Sequence, residues 1–461
     1  MLRHTALTSL LLLAASGLAG AQLTVTFQPR MGEPLRGVTP AQLAAFEAGR
    51  VEFEHELLVG EGLGPIFNDN SCSGCHSGPV VGGASLVSVQ RFGKAAAGPD
   101  PFDPLTELGG SLRQEETIQV GCEEVVPPEA DVLIERTTPH TFGSGLLEAV
   151  PDAQIVANAT NPPSPDVSGI VRMVSPVEGG PDRAGRFGWK GGVATVLTFS
   201  ADASLNELGL TNRFFGTENA PNGDLAVLAA CDGVLDPEDT EPAGSARIDR
   251  QTDFQRLLAP PPQTPPSGMS GEAVFEQVGC DACHVRDFTT VSSDPVLDGV
   301  AIRPYSDFLL HDMGALGDGI VDGIATEQEM MTRALWGMGM REGFMHDGRA
   351  TGGTFEQNVD QAILEHDGEA AASRDAYDAL TQLEKDQLHA FLASLGRPEF
   401  DVEGNNSQID EFDWFFLEPL VTGPQGTLTP DDAASIGDVD VDGDLDLVDL
   451  AAFQRAFTGL Q

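Results

Sequence analysis

Basic residues are scarce in this chain: 25 Lys and Arg stand against 71 Asp and Glu over 461 residues, a formal net charge of −46. That balance excludes nucleic acid and anionic membrane surfaces as partners, because both are themselves polyanions. Most of the acid reads as a solvated surface suited to a saline habitat, and an acidic face would also steer a basic partner protein. Long apolar runs are missing too, apart from Leu7–Ala15 at the start. With Arg3 and His4 before it and Ala19-Gly20-Ala21 after it, this run reads as a secretory signal over residues 1–21, too short to span a bilayer. The mature chain is expected to be exported, periplasmic or extracellular, with no membrane span.

Cysteine is limited to six residues. Four of them fall in two motifs, Cys72-Ser73-Gly74-Cys75-His76 and Cys280-Asp281-Ala282-Cys283-His284. CxxCH is the signature of covalent c-type haem attachment: the thiols reach the two vinyl groups of one porphyrin, and the histidine binds its iron. A zinc reading would need four ligands per site, and neither motif has a second Cys or His pair nearby at zinc spacing. Two covalently bound haems are therefore expected, held by Cys72, Cys75, His76, Cys280, Cys283 and His284. The leftover pair, Cys122 and Cys231, sits in an oxidising compartment and is expected to be bridged.

The chain divides unevenly. Thr39-Pro40 opens a helix, Thr as N-cap and Pro in the first turn, with Leu43, Phe46, Arg50, Phe53 and Leu57 along one side. Ser270 is expected to cap a second helix carrying Ala273, Val274, Phe275 and Val278 into Cys280. Residues 77–258 between them are rich in Gly and Pro and are expected to hold few helices. Two further helices are predicted from Thr354, through Phe355, Val359, Ala362 and Ile363, and from Thr381, through Leu383, Leu388, Phe391, Leu392 and Leu395. The expected domains are a first haem domain (22–258), a stiff Pro-rich connector (259–267), a second haem domain (268–400), a linker (401–437) and a calcium segment (438–461). The expected fold is mainly α: two cytochrome c-like domains with long irregular Gly/Pro-rich loops and some short β-strands, plus a small C-terminal calcium-loop helix.

In that tail, Asp438, Asp440, Asp442, Asp444, Asp446 and Asp449 surround Gly443 at calcium-loop spacing, with a helix expected over Leu450–Phe457. The segment resembles one half of a dockerin repeat. The second copy is missing, which argues against a cohesin partner, but calcium is expected here.

Whether each iron is closed or reactive depends on its sixth ligand. Downstream of the second motif lie His311, Met313, Met338, Met340, Met345, His346 and His366, whereas the first domain offers little beyond His55, His140 and Met173. The asymmetry points to a closed, electron-transferring second haem and an open, reactive first one.

Ordered matches over residues 36–398 make the chain similar to the di-haem oxidoreductases described as thiol oxidoreductases or peroxidases, relatives of bacterial di-haem cytochrome c peroxidases. They include Gly62–Asn68, Arg136–Pro139, Gly145–Glu148, Gly185–Lys190, Asn206–Thr211, Leu309–Gly314, Phe344–Ala350 and His366–Ala370. The resemblance implies a peroxidase-like enzyme in which Trp189 lies between the haems and Glu207 is the acid that moves a proton on peroxide. It implies that His366 is the sixth ligand of the second iron, with His311 and Met313 as runners-up. One departure stands out: the family's Arg-Thr-Pro-Pro-Leu-Trp-Gly is here Met331-Thr332-Arg333-Ala334-Leu335-Trp336-Gly337. Expected partners are hydrogen peroxide or a similar oxidant and a small redox donor, a cytochrome c or cupredoxin. The rival readings are a non-catalytic electron carrier and an oxidase that uses high-valent haem on a protein side chain.

Overall fold

A computed structural model describes residues 27–95, 102–162, 167–236, 244–263, 269–402, 409–427, 436–440 and 443–457. The expected signal segment and Asp442 lie outside the described residues. The helices that shape the site are α1 (Pro40–Phe53), α2 (Cys72–Cys75), α3 (Val196–Leu208), α4 (Arg247–Leu257), α5 (Ser270–Gln277), α6 (Phe355–Leu364), α7 (Ala371–Asp378) and α8 (Gln382–Ser394). In the C-terminal segment come α9 (Glu411–Leu417) and α10 (Leu447–Ala456). Strands are short and the fold is mainly α. The widest sheet among the described residues places β1 (Ser85–Ala95) between β2 (Phe102–Asp103) and β3 (Val132–Thr138), all antiparallel.

Helix starts follow the sequence closely. Thr39, Thr354 and Thr381 each close a capping box with Gln42, Gln357 and Glu384, so two orphan backbone N–H groups are satisfied at each start. α5 begins at Ser270 itself, with Met269 as N-cap, one residue before the expected cap. α1 stops at Phe53, so Leu57 is buried outside it, and Leu43 is 38% exposed although expected on the buried face.

The reason for that rotated face is a helix crossing. α1 meets α4 through Gly49, where a Cβ would come within 2.2 Å of the Arg250 carbonyl oxygen and 2.9 Å of the Phe254 Cβ. The same contact recurs in the second half. A Cβ on Gly271 of α5 would come within 1.9 Å of the Gln387 carbonyl oxygen and 2.7 Å of the Phe391 Cβ on α8. Four residues past each glycine stands a phenylalanine, and each rests on a motif histidine: Phe53 on His76 at 5.9 Å and Phe275 on His284 at 6.2 Å between ring centroids. Four residues past each carbonyl stands its aromatic partner, with Phe53–Phe254 at 4.9 Å and Phe275–Phe391 at 5.7 Å. Glu52 locks the first crossing through ion pairs with Arg247 and Arg250.

Residues 77–258 hold more helix than the sequence led us to expect, with α3 of 13 residues and α4 of 11. α4 escapes a hydrophobic reading because Arg247, Gln251, Thr252 and Gln255 are buried alongside Ile248, Phe254 and Leu257. Its polar groups are hydrogen-bonded or ion-paired inward, which hides the apolar period. The start of the Pro-rich run is packed in: Leu258 and Ala259 are fully buried and the Ala259 N–H donates to the Glu33 carbonyl at 2.9 Å. α9 occupies part of the expected linker, and α10 starts at Leu447, three residues before the expected Leu450.

Cys122 and Cys231 are bridged with Cα atoms 6.1 Å apart, as expected for the leftover pair. Among the described residues no helix is long and apolar enough to cross a membrane.

The crossings give a direct test. Gly271→Ala drives a methyl group into backbone and should destabilise the second half by about 1–3 kcal/mol, the usual range for overpacking. Gly60→Ala, with nothing near its Cβ position, should change the denaturation midpoint little.

Candidate functional site

Both CxxCH segments fold back in the same way. The His76 N–H donates to the Cys72 carbonyl at 2.9 Å, and the His284 N–H to the Cys280 carbonyl at 2.9 Å. Each tight turn carries its histidine back over its own cysteines. All four motif cysteines are unbridged. Each imidazole is then fixed by a main-chain carbonyl: His76 Nδ1 lies 3.3 Å from Gly83 O and His284 Nδ1 lies 2.9 Å from Tyr305 O. A carbonyl can only accept, so Nδ1 carries the proton and Nε2 keeps its lone pair. Burial pushes both imidazoles down to about 4, which keeps that lone pair available at neutral pH.

A cavity of about 330 Å³ opens beside the second motif and is lined by Cys280, Cys283, His284 and, across from them, His366. His366 follows the last turn of α6 and repeats the arrangement of the motif histidines. Its Nδ1 lies 2.8 Å from the Ala362 carbonyl, so its Nε2 is the open nitrogen, and burial lowers its pKa. His311 differs: Nε2 faces Asp307 at 2.8 Å and Nδ1 faces Glu369 at 2.9 Å. Against the effect of burial, the Asp307 carboxylate and the Cys283 thiol beside it push its pKa up to about 11. With both ring nitrogens engaged, His311 is corrected from a candidate iron ligand to a buried cation. Met313 remains on the cavity wall.

The wall nearest the first motif comes from the end of β3. The Thr138 hydroxyl lies against Cys75, and the Pro139 carbonyl lies near His76. One residue earlier, the Thr137 carbonyl accepts the Trp189 indole N–H at 3.0 Å, and Trp189 lines the second motif's cavity. Residues Thr137–His140 and Trp189 thus connect the surroundings of the two motifs. Sequence matching singled out Arg136–Pro139 without giving it a task. Trp189 is held by its neighbour, since the Lys190 ammonium and the Arg136 guanidinium share the buried Asp318 carboxylate. Its ring faces His346 at 6.2 Å, and Arg333 lies over it at 5.3 Å.

Glu207 sits at the end of α3. Its Oε2 accepts the Asn68 amide at 2.6 Å, and its backbone carbonyl accepts the Asn68 N–H at 2.8 Å. It is close enough to Cys75 that its charge raises the thiol, which burial pushes up to about 12. Burial raises Glu207 itself, while Asn68 and the Arg91 charge pull it back. Of the first-domain candidates, His55 is exposed and paired with Glu61, and Met173 is 47% exposed on a ribbon. His140 lies near His76, but its Nε2 is taken by the Arg341 guanidinium at 3.1 Å.

The profile of the family described as "Di-haem oxidoreductase, putative peroxidase" matches residues 122–395, more than half of the chain. The chain belongs to the di-haem oxidoreductases. The matched span contains the second CxxCH, Trp189, Glu207 and His366 and begins after the first CxxCH. No curated protein matches. Among solved structures, the chain is similar to a Kuenenia stuttgartiensis hydrazine synthase pressurized with xenon, at 14% identity and a TM-score of 0.34, covering 85% of this chain and 100% of that one. It is also similar to a MauG-like protein associated with microbial copper homeostasis, at 17% identity and a TM-score of 0.36, covering 80% of this chain and 94% of that one. Scores this low leave the family match as the ground for the assignment.

Haem is the cofactor of this oxidoreductase family, and the residues fit it. Beyond the cysteines and open imidazole nitrogens, the cavity carries two half-buried guanidiniums, Arg333 and Arg341, that donate to the carbonyls of Gly188, Ala334 and Trp336 and form no ion pair among the described residues. Burial pushes each down to about 10, and Arg341 is lowered further by the neighbouring Arg333 charge. The Arg341 Nε and His140 Nδ1 atoms are buried without a hydrogen-bond partner. A pair of neighbouring, mutually repelling cations without an acidic partner favours an anion, and haem brings two propionates.

In the tail, side-chain oxygens of Asp438, Asp440 and Asp449 converge within 4.8 Å of one another, as do those of Asp444, Asp446 and Asp449.

Replacing Arg341 by Met removes a cation that favours the reduced, less positive iron. The midpoint potential of the second haem should fall by tens of millivolts, measurable by spectroelectrochemical titration.

Proposed function

We propose that this di-haem oxidoreductase is an exported, peroxidase-like enzyme. A small oxidant such as hydrogen peroxide is reduced at the haem on Cys72, Cys75 and His76, and electrons arrive through the haem on Cys280, Cys283 and His284. The observation that carries the reading is the difference between the two surroundings. Beside His284 stands a second imidazole, His366, prepared in the same way. Near Cys75 stands a half-buried carboxyl, Glu207, hydrogen-bonded to Asn68.

When bound, the haems supply the electrons and the place where the oxidant binds. The protein contributes position and proton. His76 and His284 each present Nε2 because a main-chain carbonyl holds the proton on Nδ1. His366 presents a third Nε2 toward the same cavity as His284, which would close that iron to oxidants and suit it to electron transfer. Burial raises Glu207 while Asn68 and the Arg91 charge lower it, so its carboxylate is a better proton acceptor than a solvated glutamate and can return the proton it takes up. Asn68 occupies Oε2, leaving Oε1 as the atom at which a peroxide proton is taken up and returned to the departing oxygen. Trp189, fixed by Thr137 and by the Lys190–Asp318–Arg136 cluster, would carry electrons between the two surroundings.

The repeated helix crossing supports two cytochrome c-like domains, one closed by α1 and α4 and the other by α5 and α8. A soluble cytochrome c or cupredoxin is the proposed donor. The converging aspartates of the tail are the proposed calcium ligands, together with Asp442.

Two measurements test the reading. Electron paramagnetic resonance of the oxidised protein should show one high-spin and one low-spin haem, and only the high-spin signal should vanish with peroxide. His366→Ala should convert the low-spin signal to high-spin, whereas two low-spin signals indifferent to peroxide would make the protein an electron carrier. Glu207→Gln should leave both haems attached and slow peroxide turnover by about 10²–10⁴-fold, the usual contribution of a positioned general acid–base group. Unchanged turnover would remove Glu207 from the mechanism.

A further inference from the structure

The chain contains only two tyrosines, and both adjoin the second CxxCH. Tyr305 supplies the carbonyl that fixes His284. Tyr377 is fully buried on α7 and belongs to the core against which Cys280 packs. α7 is fastened to the motif by Ser373, whose hydroxyl donates to the Gly279 carbonyl at 3.1 Å. Four residues on, and so on the same face of the helix, comes Tyr377.

The Tyr377 hydroxyl does not end in an inert contact. It donates to the Asp360 carboxylate and lies 3.0 Å from His389 Nε2, which is 2.9 Å from the same Asp360 oxygen. Phenol, imidazole and carboxylate form a closed triangle. One corner reaches solvent, because the Asp360 side chain is 43% exposed. Another lines a second cavity of about 390 Å³, bounded by His389, Glu356, Asp386 and Arg397. None of these groups serves the peroxide chemistry proposed above.

Two features decide how such a phenol can lose an electron. Burial and the adjoining carboxylate raise its pKa, so phenolate is not present beforehand. The Lys385 ammonium lies 4.7 Å from the ring centroid, a cation–π contact that opposes a positive charge on the ring. Oxidation to a radical cation is therefore disfavoured, and oxidation with simultaneous loss of the proton to an adjacent base is the accessible route.

We propose that Tyr377 is a redox relay of the second haem. Hydrogen peroxide needs two electrons and two protons to become two waters; Tyr377 supplies one of the electrons, the surface donor supplies the other by way of the haems, and both protons come from solvent. Its electron passes to the haem oxidised by peroxide, its O–H bond breaks, and the proton moves to the His389–Asp360 pair, leaving a neutral phenoxyl. A one-electron donor at the surface beside Asp360 and His389 reduces the phenoxyl, and the proton returns. The inference rests on the reading of the second CxxCH as a haem oxidised by way of the first.

The test uses the haem-loaded protein, freeze-quenched after peroxide, with electron paramagnetic resonance and the haem absorption recorded on the same samples. Wild type and Tyr305→Phe should both show a tyrosyl signal, and Tyr377→Phe should lose it while keeping the low-spin signal of the second haem. His389→Gln should reduce the radical yield. A signal that survives in Tyr377→Phe, or one unaltered in His389→Gln, overturns the relay. A parallel arm replaces peroxide with flash-generated ruthenium(III) tris-bipyridine. If peroxide leaves the haem bands unchanged, the peroxidase reading fails, and this arm still decides whether Tyr377 is the oxidisable phenol. Absence of a Tyr377 radical in both arms overturns the proposal.

Discussion

A glycine pressed against a carbonyl organises this molecule twice. At Gly49 on Arg250, and again at Gly271 on Gln387, two helices approach so closely that no side chain fits between them. Each approach brings a phenylalanine, Phe53 or Phe275, onto the imidazole of a CxxCH. The histidines therefore take their orientation from two sides: an aromatic face delivered by the crossing, and a carbonyl that fixes the proton on Nδ1. If the helices moved apart by the thickness of a methyl group, the aromatic support would be lost, although every motif residue would remain. This is why the CxxCH motifs, which are local in sequence, depend on helices as distant as α4 and α8.

What could be read from sequence was whatever is written in neighbouring residues. The CxxCH motifs, the capping boxes at Thr39, Thr354 and Thr381, and the pairing of Cys122 with Cys231 all rest on short spacing or on elimination. The crossings were present as well, in Gly49 and Phe53 and in Gly271 and Phe275, each pair four residues apart. Their meaning comes from partner helices about 200 and 116 residues away along the chain, which no local pattern reveals. α4 was overlooked for a related reason: Arg247, Gln251 and Gln255 are buried because they find polar partners in three dimensions. His311 illustrates the opposite error. A histidine downstream of a haem motif reads as a ligand until Asp307 and Glu369 are seen to occupy both of its nitrogens.

The segments shared with the family also separate into two kinds. Arg186 is buried among the carbonyls of Leu147, Val150 and Ala184, where it clamps main chain and touches no CxxCH. Lys190 and Arg136 neutralise Asp318 and so lock Trp189 beside Thr137. These residues are needed for position. Glu207 and His366 instead present a carboxyl oxygen or a ring nitrogen toward the surroundings of the motifs, and sequence similarity alone does not distinguish the two kinds.

The distribution of charge carries the argument one step further. With 71 acidic residues available, the chain can match its buried cations internally, and it does so at Lys190, Arg136 and Arg172. Arg333 and Arg341, on the wall of the cavity that holds His284, instead meet main-chain carbonyls of Gly188, Ala334 and Trp336 and form no ion pair among the described residues. A haem whose propionates met these two charges would stabilise the folded state that binds it. Arg333 is also the point at which this chain departs from the family motif, its guanidinium standing two positions beyond the usual arginine and over the Trp189 ring. A fixed cation there opposes positive charge on the indole, so Trp189 would be harder to oxidise in this chain than in relatives with proline at that position. Oxidising equivalents at the second haem would then find Tyr377, which sheds its proton and acquires no charge, the easier residue to oxidise.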